Sequence, residues 1–312
     1  MASDLAVLSD SEATDPNYQS NDYADLLIND STNEVLESYH CFDRLYPASI
    51  TKVMTALLTL EHGNMDDEIT LKHDINLTEN GAVISTLTKG DTVTVGQVFH
   101  TMLIKSANDC AVILAEYVAG SESKFIDMMN AKAKELGATH THFVNPNGLH
   151  DNNHYTTAYD LYLIFKEAVK YDTFVDTVSS KDYTMTYTTP KKTQINEYMQ
   201  STNYYLLNEF PVPEGVVYVW WKDRNYFHAK SCLILMQRNK RRAFTFCSTW
   251  SRNKRYAVLI YVTVVRENCK LKVVLLYDIN YNIAYKKWHE PFILQKKGLR
   301  SNNISKGGYS HD

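Results

Sequence analysis

The chain has 312 residues, of which 44% are hydrophobic, and this is enough for one large domain or two smaller ones with a substantial core. Its net charge of −4 argues neither for nucleic acid nor for a membrane surface as a partner, because such partners favour a basic chain, and we expect no nucleic-acid partner. The five cysteines are scattered without C-x-x-C spacing, which indicates neither a zinc site nor a disulfide framework.

The first segment, residues 1–23, is acidic and polar, and its composition predicts a disordered leader. It lacks the basic region and the apolar region of a signal peptide, and no apolar run in the chain is long enough to span a bilayer. Residues 24–38 then predict a pair of strands around a polar turn. We therefore expect the folded part of the chain to begin near residue 24.

A serine and a lysine stand three positions apart at the start of an apolar helix. Ser49 and Lys52 lie on one face of that helix, so the lysine amine can reach the serine hydroxyl. A lysine buried in an apolar helix can lose its charge and act as a base for a serine nucleophile. The same spacing recurs at Ser121/Lys124 and Ser251/Lys254. The tetrad alone is therefore a weak signal, because an exposed lysine near a helix start is the commoner case.

A second polar pair follows between two predicted helices, 94–103 and 109–118. Ser106 provides a hydroxyl that can relay a proton, and Asn108 provides an amide that can donate to and accept from a peptide-like substrate. The S-x-N spacing also occurs elsewhere in the chain, and a simple helix cap explains it equally well when it stands alone. Only its combination with the serine and lysine makes it informative.

The remaining elements predict a mixed fold. Short alternating runs over 69–95 and 183–187 predict strands, whereas 124–136 and 157–171 predict helices separated by a polar loop at 145–153. Helices and strands without a regular βαβ order favour an antiparallel sheet with packed helices.

Four histidines near this loop raise the alternative of a metal site: His140, His142, His150 and His154. Histidines two positions apart on a strand can bind zinc. No neighbouring carboxylate or cysteine completes a ligand set, so we expect no metal and no other cofactor.

Four segments carry a resemblance to a known family. They are PASITK at 47–52, KSAND at 105–109, THFVNPNGLH at 141–150 and HYTTAYDL at 154–161. Together they resemble the serine-type D-alanyl-D-alanine carboxypeptidases, the low-molecular-mass penicillin-binding proteins. The resemblance extends from about residue 24 to residue 215.

The resemblance implies a penicillin-binding-protein/β-lactamase-like transpeptidase fold. This is an α/β (α+β) class in which an antiparallel sheet is flanked by helical clusters. We expect the leader to be followed by a carboxypeptidase domain over 24–250, whose pattern is degraded after about 215. The tail over 251–312 resembles no part of the family.

The resemblance also implies roles for individual residues. Ser49 resembles the acylated nucleophile, Lys52 its base, Ser106 the relay serine, and Asn108 the residue that positions the substrate amide. The implied reaction removes the terminal D-Ala from peptidoglycan stem peptides through an acyl-enzyme, and β-lactams would acylate the same serine. The family works outside the cytoplasmic membrane, on the periplasmic or cell-wall side. No membrane anchor is visible in the chain.

The composition changes abruptly after Gly215. Residues 1–215 carry 13 Lys and Arg against 31 Asp and Glu, whereas residues 216–312 carry 19 against 5. All four tryptophans follow this point, and no glycine occurs between Gly215 and Gly298. A folded segment of that length normally needs glycine in its tight turns.

The third motif of the family, K-T-G, is missing in this region. The resemblance places it on a strand after residue 215, where its side chains would bind the terminal carboxylate of the substrate. The chain instead reads VWWKDRNY over 219–226, and Lys222 is the residue nearest to the expected lysine. The triplet at 192–194, KTQ, precedes that place and lacks the glycine.

We hypothesise that small insertions or deletions in the gene put much of the chain after residue 215 out of frame. Reading codons for 219–226 one nucleotide later permits Gly-Gly-Lys-Thr-Gly-Thr-Thr, which contains the missing motif. The alternative is ordinary divergence. DNA sequence across codons 210–255 tests this, because a clean read whose shifted frame lacks the motif would contradict it. We expect the chain as written to be poorly active or inactive.

Three other functions share part of this pattern. A class A-like β-lactamase would have the first two motifs, but no convincing loop with a deacylating glutamate is present. A non-catalytic peptidoglycan-binding relative would explain the missing third motif. A metallopeptidase built on the histidines would lose its activity to a chelator, which a serine enzyme would not.

Overall fold

The computed structural model of the chain describes residues 22–29, 33–77, 79, 82–203 and 206–207, together with the backbone of the strands between residues 221 and 276. Within these residues, none of the helices is both long and apolar enough to cross a lipid bilayer. The predicted leader up to residue 21 and the chain after residue 276 lie outside the described residues.

Helices form a cluster around the apolar segment that follows Ser49. They are the 3₁₀ helix Ala48–Thr51, α1 (Lys52–His62), α2 (Val95–Ile104), α3 (Asn108–Ala119), α4 (Glu122–Glu135), α5 (Ala158–Ala168) and α6 (Asp172–Val178). Helix α1 packs against α2, α3, α4 and α5. Every side chain of α1 from Lys52 to Thr59 is buried, as expected for a helix in the centre of a core. The predicted burial of Lys52 therefore follows from the position of its helix.

Side-chain caps and a glycine set the ends of several helices. The hydroxyls of Thr94, Ser121 and Thr157 accept hydrogen bonds from backbone N–H groups in the first turns of α2, α4 and α5. Gly120 ends α3 in the left-handed conformation, with φ of 76°. Ser121 of the Ser121/Lys124 pair is thus a helix cap.

The strands form two larger antiparallel sheets and a separate hairpin. They are β1 (Asp22–Asn29), β2 (Glu34–Tyr39), β3 (Glu68–Thr70), β4 (Thr92–Thr94), β5 (Asp182–Thr188), β6 (Gln194–Gln200), β7 (Trp221–Lys222), β8 (Ser231–Arg238), β9 (Phe244–Ser251), β10 (Tyr261–Glu267) and β11 (Lys270–Leu276). Strands β10 and β11 pair only with each other among the described strands.

The five-stranded sheet has the order β2-β1-β9-β8-β7 and so joins the first two strands of the chain to three strands after residue 220. Strand β1 buries Ala24, Leu26 and Ile28, which alternate along the strand and face the helical core. Helix α5 packs against β1 and β9. Strand β7 forms one edge of this sheet and lies beside the 3₁₀ helix.

The four-stranded sheet has the order β3-β4-β5-β6 and packs against α2. Its β5–β6 hairpin is closed by a turn in which the Lys192 N–H donates to the Thr189 carbonyl, with Lys192 at φ of 59°. The KTQ triplet at 192–194 therefore lies in a hairpin of the other sheet, away from the strand beside Ser49.

Candidate active site

The turn that carries the candidate nucleophile has an unusual backbone. Ala48 adopts φ of 49°, in the left-handed region, and begins the 3₁₀ helix that contains Ser49. The Ile50 N–H donates to the Pro47 carbonyl across the turn. Ser49 and Ile50 are both buried, so the surrounding structure holds this strained conformation in place.

The amine of Lys52 lies at the centre of the site. Its Nζ donates to Ser49 Oγ at 3.1 Å, to Asn108 Oδ1 at 2.8 Å and to the Asn147 carbonyl oxygen at 2.6 Å. An ammonium group has three N–H donors, which is enough for these three acceptors. After losing one proton, the amine can keep its bonds to Asn108 and Asn147 and turn its lone pair toward Ser49. The geometry therefore suits both protonation states of a base.

Ser106 and Asn108 reach the site from the connection between α2 and α3. Ser106 is fully buried at φ of 60°, and its Oγ has no hydrogen-bond partner among the described residues. Asn108 is the first residue of α3, and its Nδ2 donates to the Val83 carbonyl at 3.0 Å. With Oδ1 directed to Lys52, both ends of this side-chain amide are occupied.

A second set of contacts supports the same connection from the side of the four-stranded sheet. Lys105, next to Ser106, forms an ion pair with Glu197 of β6. Glu197 also accepts hydrogen bonds from the N–H and Oγ1 of Thr86. Burial would raise the pKa of Glu197, but the bonds from Lys105 and Thr86 outweigh it and hold that pKa below its usual value. Glu197 thus links β6 to the turn that carries Ser106.

The loop at 145–148 approaches the nucleophile turn very closely. Gly148 has φ of 83°, and a Cβ placed on it would lie 1.8 Å from the Ala48 carbonyl oxygen. The Asn145 side chain accepts from the Gly148 N–H at 2.6 Å, and Thr55 Oγ1 donates to the Pro146 carbonyl at 2.6 Å. These bonds place the Asn147 carbonyl against Lys52. The sequence identified this loop as part of a family pattern but did not indicate that role.

His154 is the histidine that contacts the site directly. Its Nδ1 accepts from the Val144 N–H at 3.0 Å, and its Nε2 lies 2.7 Å from Thr51 Oγ1. Burial is the main cause that lowers the pKa of His154 to about 3, with Lys52 among the weaker causes, so the ring is neutral near pH 7. A neutral ring that accepts at Nδ1 carries its proton on Nε2 and donates it to Thr51.

The other histidines have separate partners. The His142 ring bonds to the Asn153 carbonyl, and the His150 ring stacks edge-on against Tyr46. Across the described ranges, no group of three His, Cys, Asp or Glu side chains has the geometry of a metal site.

Three of the predicted site residues are in direct contact, namely Ser49, Lys52 and Asn108. Ser106 is buried two residues from Asn108, at the start of the same helix. Lys222 lies on the edge strand β7, which is the strand beside the 3₁₀ helix. The backbone thus places the Trp221–Lys222 pair next to the turn that carries Ser49.

Comparisons with known proteins give one consistent family. A family model described as D-alanyl-D-alanine carboxypeptidase matches residues 10–210, well over half of the chain. The D-alanyl-D-alanine carboxypeptidase DacF of Bacillus subtilis is 37% identical over 163 residues, which cover 51% of this chain and 42% of DacF. DacC of Escherichia coli is 32% identical over 187 residues, covering 57% of this chain and 46% of DacC. The match thus spans less than half the length of these relatives.

Solved structures support the same fold. The Streptomyces K15 DD-transpeptidase superposes with a TM-score of 0.66 at 25% identity, covering 75% of this chain and 91% of that structure. Penicillin-binding protein D2 of Listeria monocytogenes, solved with cefotaxime bound, has a TM-score of 0.60 at 24% identity. The predicted α+β fold class is therefore confirmed. The family match ends at residue 210, shortly before the change in composition at Gly215.

Proposed function

The chain belongs to the D-alanyl-D-alanine carboxypeptidase family, and from this premise we propose that Ser49 is a nucleophile acylated by the D-Ala-D-Ala end of peptidoglycan stem peptides. The observation that carries the proposal is the contact of Lys52 Nζ with Ser49 Oγ at 3.1 Å inside a buried hydrogen-bond network. Peptidoglycan lies outside the cytoplasmic membrane, so we place the reaction there. The reaction requires no cofactor.

The proposed reaction proceeds in two steps. The neutral amine of Lys52 takes the proton of the Ser49 hydroxyl, while Oγ attacks the carbonyl carbon of the terminal amide. The backbone N–H of Ser49 forms half of the oxyanion hole for the negatively charged oxygen. The carbon–nitrogen bond then breaks, the proton passes to the leaving amine of D-Ala, and an ester on Ser49 remains. Water hydrolyses this ester and restores the free serine.

Ser106 is the proposed relay for the proton that leaves Lys52. Its buried Oγ has no partner among the described residues, and an unpaired buried hydroxyl costs free energy in the unliganded protein. Substrate bound in the cleft can supply that partner. Asn108 orients Lys52 in the free protein, and to hold the substrate amide it would exchange its bond to the Val83 carbonyl.

On the side of the candidate site formed by strand β7, we expect the chain as written to bind the substrate poorly. The edge strand β7 carries Trp221 and Lys222 instead of a complete K-T-G motif. Lys222 is the proposed, weaker substitute for the lysine of that motif. Bulky indoles and the lack of Thr-Gly leave the substrate carboxylate without its usual partners. We therefore propose slow acylation, with a reading-frame change as its origin, and the end of the family match at residue 210 supports this.

Labelling with a fluorescent penicillin tests the proposal. We expect slow labelling of the wild-type chain, located on Ser49 by mass spectrometry and absent in Ser49→Ala. Ser121→Ala is the matched control, because that serine caps α4 and should not affect labelling. Label on another residue, or equal label on Ser49→Ala, would overturn the proposed nucleophile. Rapid labelling of the wild type would overturn the proposed deficiency alone.

The missing third motif also favours a second candidate, a peptidoglycan-binding relative without turnover. Such a protein would bind a stem peptide ending in D-Ala-D-Ala and release no D-Ala. Calorimetric binding of the peptide, combined with an assay for free D-Ala, separates the two functions. Hydrolysis of the β-lactam faster than of the peptide would instead indicate a β-lactamase.

A further inference from the structure

His154 joins the turn that carries Ser49 to the segment that precedes the 145–148 loop. The ring is almost fully buried, and both of its nitrogens are used within the protein. Nδ1 receives the Val144 N–H, and Nε2 donates to Thr51 Oγ1. The His154 backbone N–H donates to the Asp151 carbonyl at 3.0 Å, and this bond holds the backbone that carries the ring. The imidazole is thus a rigid link between positions 51 and 144.

Thr51 and Val144, which the His154 ring joins, are each close in sequence to residues of the Lys52 network. Thr51 precedes Lys52 in the helix that holds the amine. Val144 precedes the loop that brings the Asn147 carbonyl to 2.6 Å from Lys52 Nζ. A change in the distance between Thr51 and Val144 would therefore change the distance between the amine and its acceptor.

We propose that His154 is a positioning residue, which holds the Asn147 carbonyl against Lys52 and so keeps the amine directed at Ser49. Its importance for catalysis rests on the function proposed above, but its structural effect does not. Thr55 Oγ1 anchors the same loop through Pro146, one helical turn farther along α1. The bond between His154 and Thr51 holds the residue directly before Lys52, so its loss would displace the backbone that carries the lysine side chain.

The surroundings of the His154 ring favour the neutral imidazole, on which both of its hydrogen bonds depend. Asp151 favours a proton on the ring, whereas His142, His150 and Lys52 disfavour it, and burial outweighs all of them. A proton on Nδ1 would point at the Val144 N–H, which is itself a donor, and would break that bond. The link is therefore intact only when the imidazole is neutral.

Three variants test the proposal. His154→Ala removes the link, His154→Gln keeps one acceptor and one donor on a planar group, and His142→Ala removes a nearby histidine that does not contact Thr51. In a crystal structure of His154→Ala, we expect the Asn147 oxygen to lie beyond hydrogen-bond distance of Lys52 Nζ. We expect penicillin to label Ser49 about tenfold more slowly or worse, because small misplacements of reacting groups are costly. The Gln variant should recover most of the rate, and His142→Ala should match the wild type.

The outcomes separate this inference from the proposed function. If penicillin does not label the wild-type chain, the proposed function fails, and the distance in the crystal structure alone decides the role of His154. An Asn147–Lys52 contact that survives in His154→Ala overturns the positioning role. So does labelling of His154→Ala at the wild-type rate. If that variant does not fold, Thr51→Val removes the same hydrogen bond from the other side, and the same two measurements apply.

Discussion

Lys52 is the residue around which the candidate site is built. Its amine is fully buried and bonded to a hydroxyl and to two amide oxygens, all of them uncharged. A carboxylate in place of any of these would hold the amine in its charged form. Uncharged acceptors satisfy the donors that burial would otherwise leave unpaired, and they add no negative charge that would favour the ammonium form.

This arrangement predicts the effect of Lys52→Met. The variant keeps a long side chain in the core but has no base, so labelling of Ser49 by penicillin should fall by about 10²- to 10⁴-fold. The thermal midpoint should fall, because the buried Asn108 Oδ1 and the Asn147 carbonyl oxygen lose their hydrogen-bond donor. Lys124→Met is the control, since this exposed lysine has the same spacing from Ser121. Labelling of Lys52→Met at the wild-type rate would exclude Lys52 as the base.

The burial of His154 predicts a loss of stability in acid. In the unfolded chain an ordinary histidine binds a proton below about pH 6.5, whereas the pKa of His154 in the fold is lowered to about 3. Protons therefore favour the unfolded state between these values, and the free energy of unfolding falls as the pH falls. The contribution of this residue is at most about 1.4 kcal/mol per pH unit.

Denaturant unfolding of the wild type and of His154→Gln at pH 7, 5 and 4 measures that contribution. Other groups titrate in both proteins, so the difference between the two isolates His154. The wild type should lose its stability more steeply below pH 6.5 than the variant does. Parallel curves for the two proteins would show that the buried histidine is not the source.

At the level of elements, the close approach between the 145–148 loop and the nucleophile turn has a direct consequence. A Cβ on Gly148 would lie 1.8 Å from the Ala48 carbonyl oxygen and 2.4 Å from its carbon, both backbone atoms. Neither the loop nor the buried 3₁₀ helix can move away without breaking bonds to Lys52. Glycine at this position is therefore required by space as well as by its positive φ.

Gly148→Ala should accordingly lower the free energy of unfolding by about 3 kcal/mol or more, through combined clash and strain. Gly120→Ala is a matched control, because its φ of 76° is similar but no atom lies within 4 Å of the added Cβ. It should cost only about 1–2 kcal/mol for the left-handed backbone. Chemical unfolding of both variants checks this, and equal losses would show that the close approach has no effect.

The helices could be predicted well because their signals are local. The caps at Thr94, Ser121 and Thr157 and the apolar run of α1 all lie within the segments that they define. The helix expected over 157–171 ends earlier, at Ala168, and a short separate helix follows it. Strand β6 was not predicted, since its residues are largely exposed and give only a weak alternation.

The site could be predicted only where its residues belong to short motifs. Ser49 and Lys52 are three positions apart, so their contact could be predicted from the spacing together with the apolar run that follows them. The contacts of Lys52 with Asn108 and Asn147 and of His154 with Thr51 join residues far apart in the chain. A polar loop alone does not reveal which carbonyl or ring it will bring to a distant helix.

At the level of the whole molecule, the turn that carries Ser49 and the strand β7 beside it come from different parts of the chain. Lys52 bonds to Ser49, Asn108 and Asn147, which all lie before residue 150, whereas the edge strand β7 follows residue 215. The five-stranded sheet joins these parts through the pairing of β1 with β9. Under the proposed function, a change confined to the later part would impair substrate binding and leave the contact of Lys52 with Ser49 unchanged.

Because the third motif lies in the later part of the chain, we predict that repairing that part alone speeds the acylation proposed for Ser49. Replacing residues 220–226 with Gly-Gly-Lys-Thr-Gly-Thr-Thr supplies the third motif and keeps a lysine at position 222. We expect penicillin to label the repaired chain at least about tenfold faster than the chain as written, because the substrate carboxylate regains its partners. Ser49→Ala in the repaired chain is the control. No gain in rate would show that the missing motif does not limit acylation.

The bond between Thr51 and His154 has a further consequence for how such chains diverge. The S-x-x-K pattern leaves positions 50 and 51 unspecified, yet Ile50 is buried in the core and Thr51 is bonded to a residue about a hundred positions away. Neither position is therefore neutral to mutation. Across an alignment of homologues, residues at 51 and 154 should covary, with a side-chain hydroxyl at the first accompanied by a hydrogen-bond donor at the second.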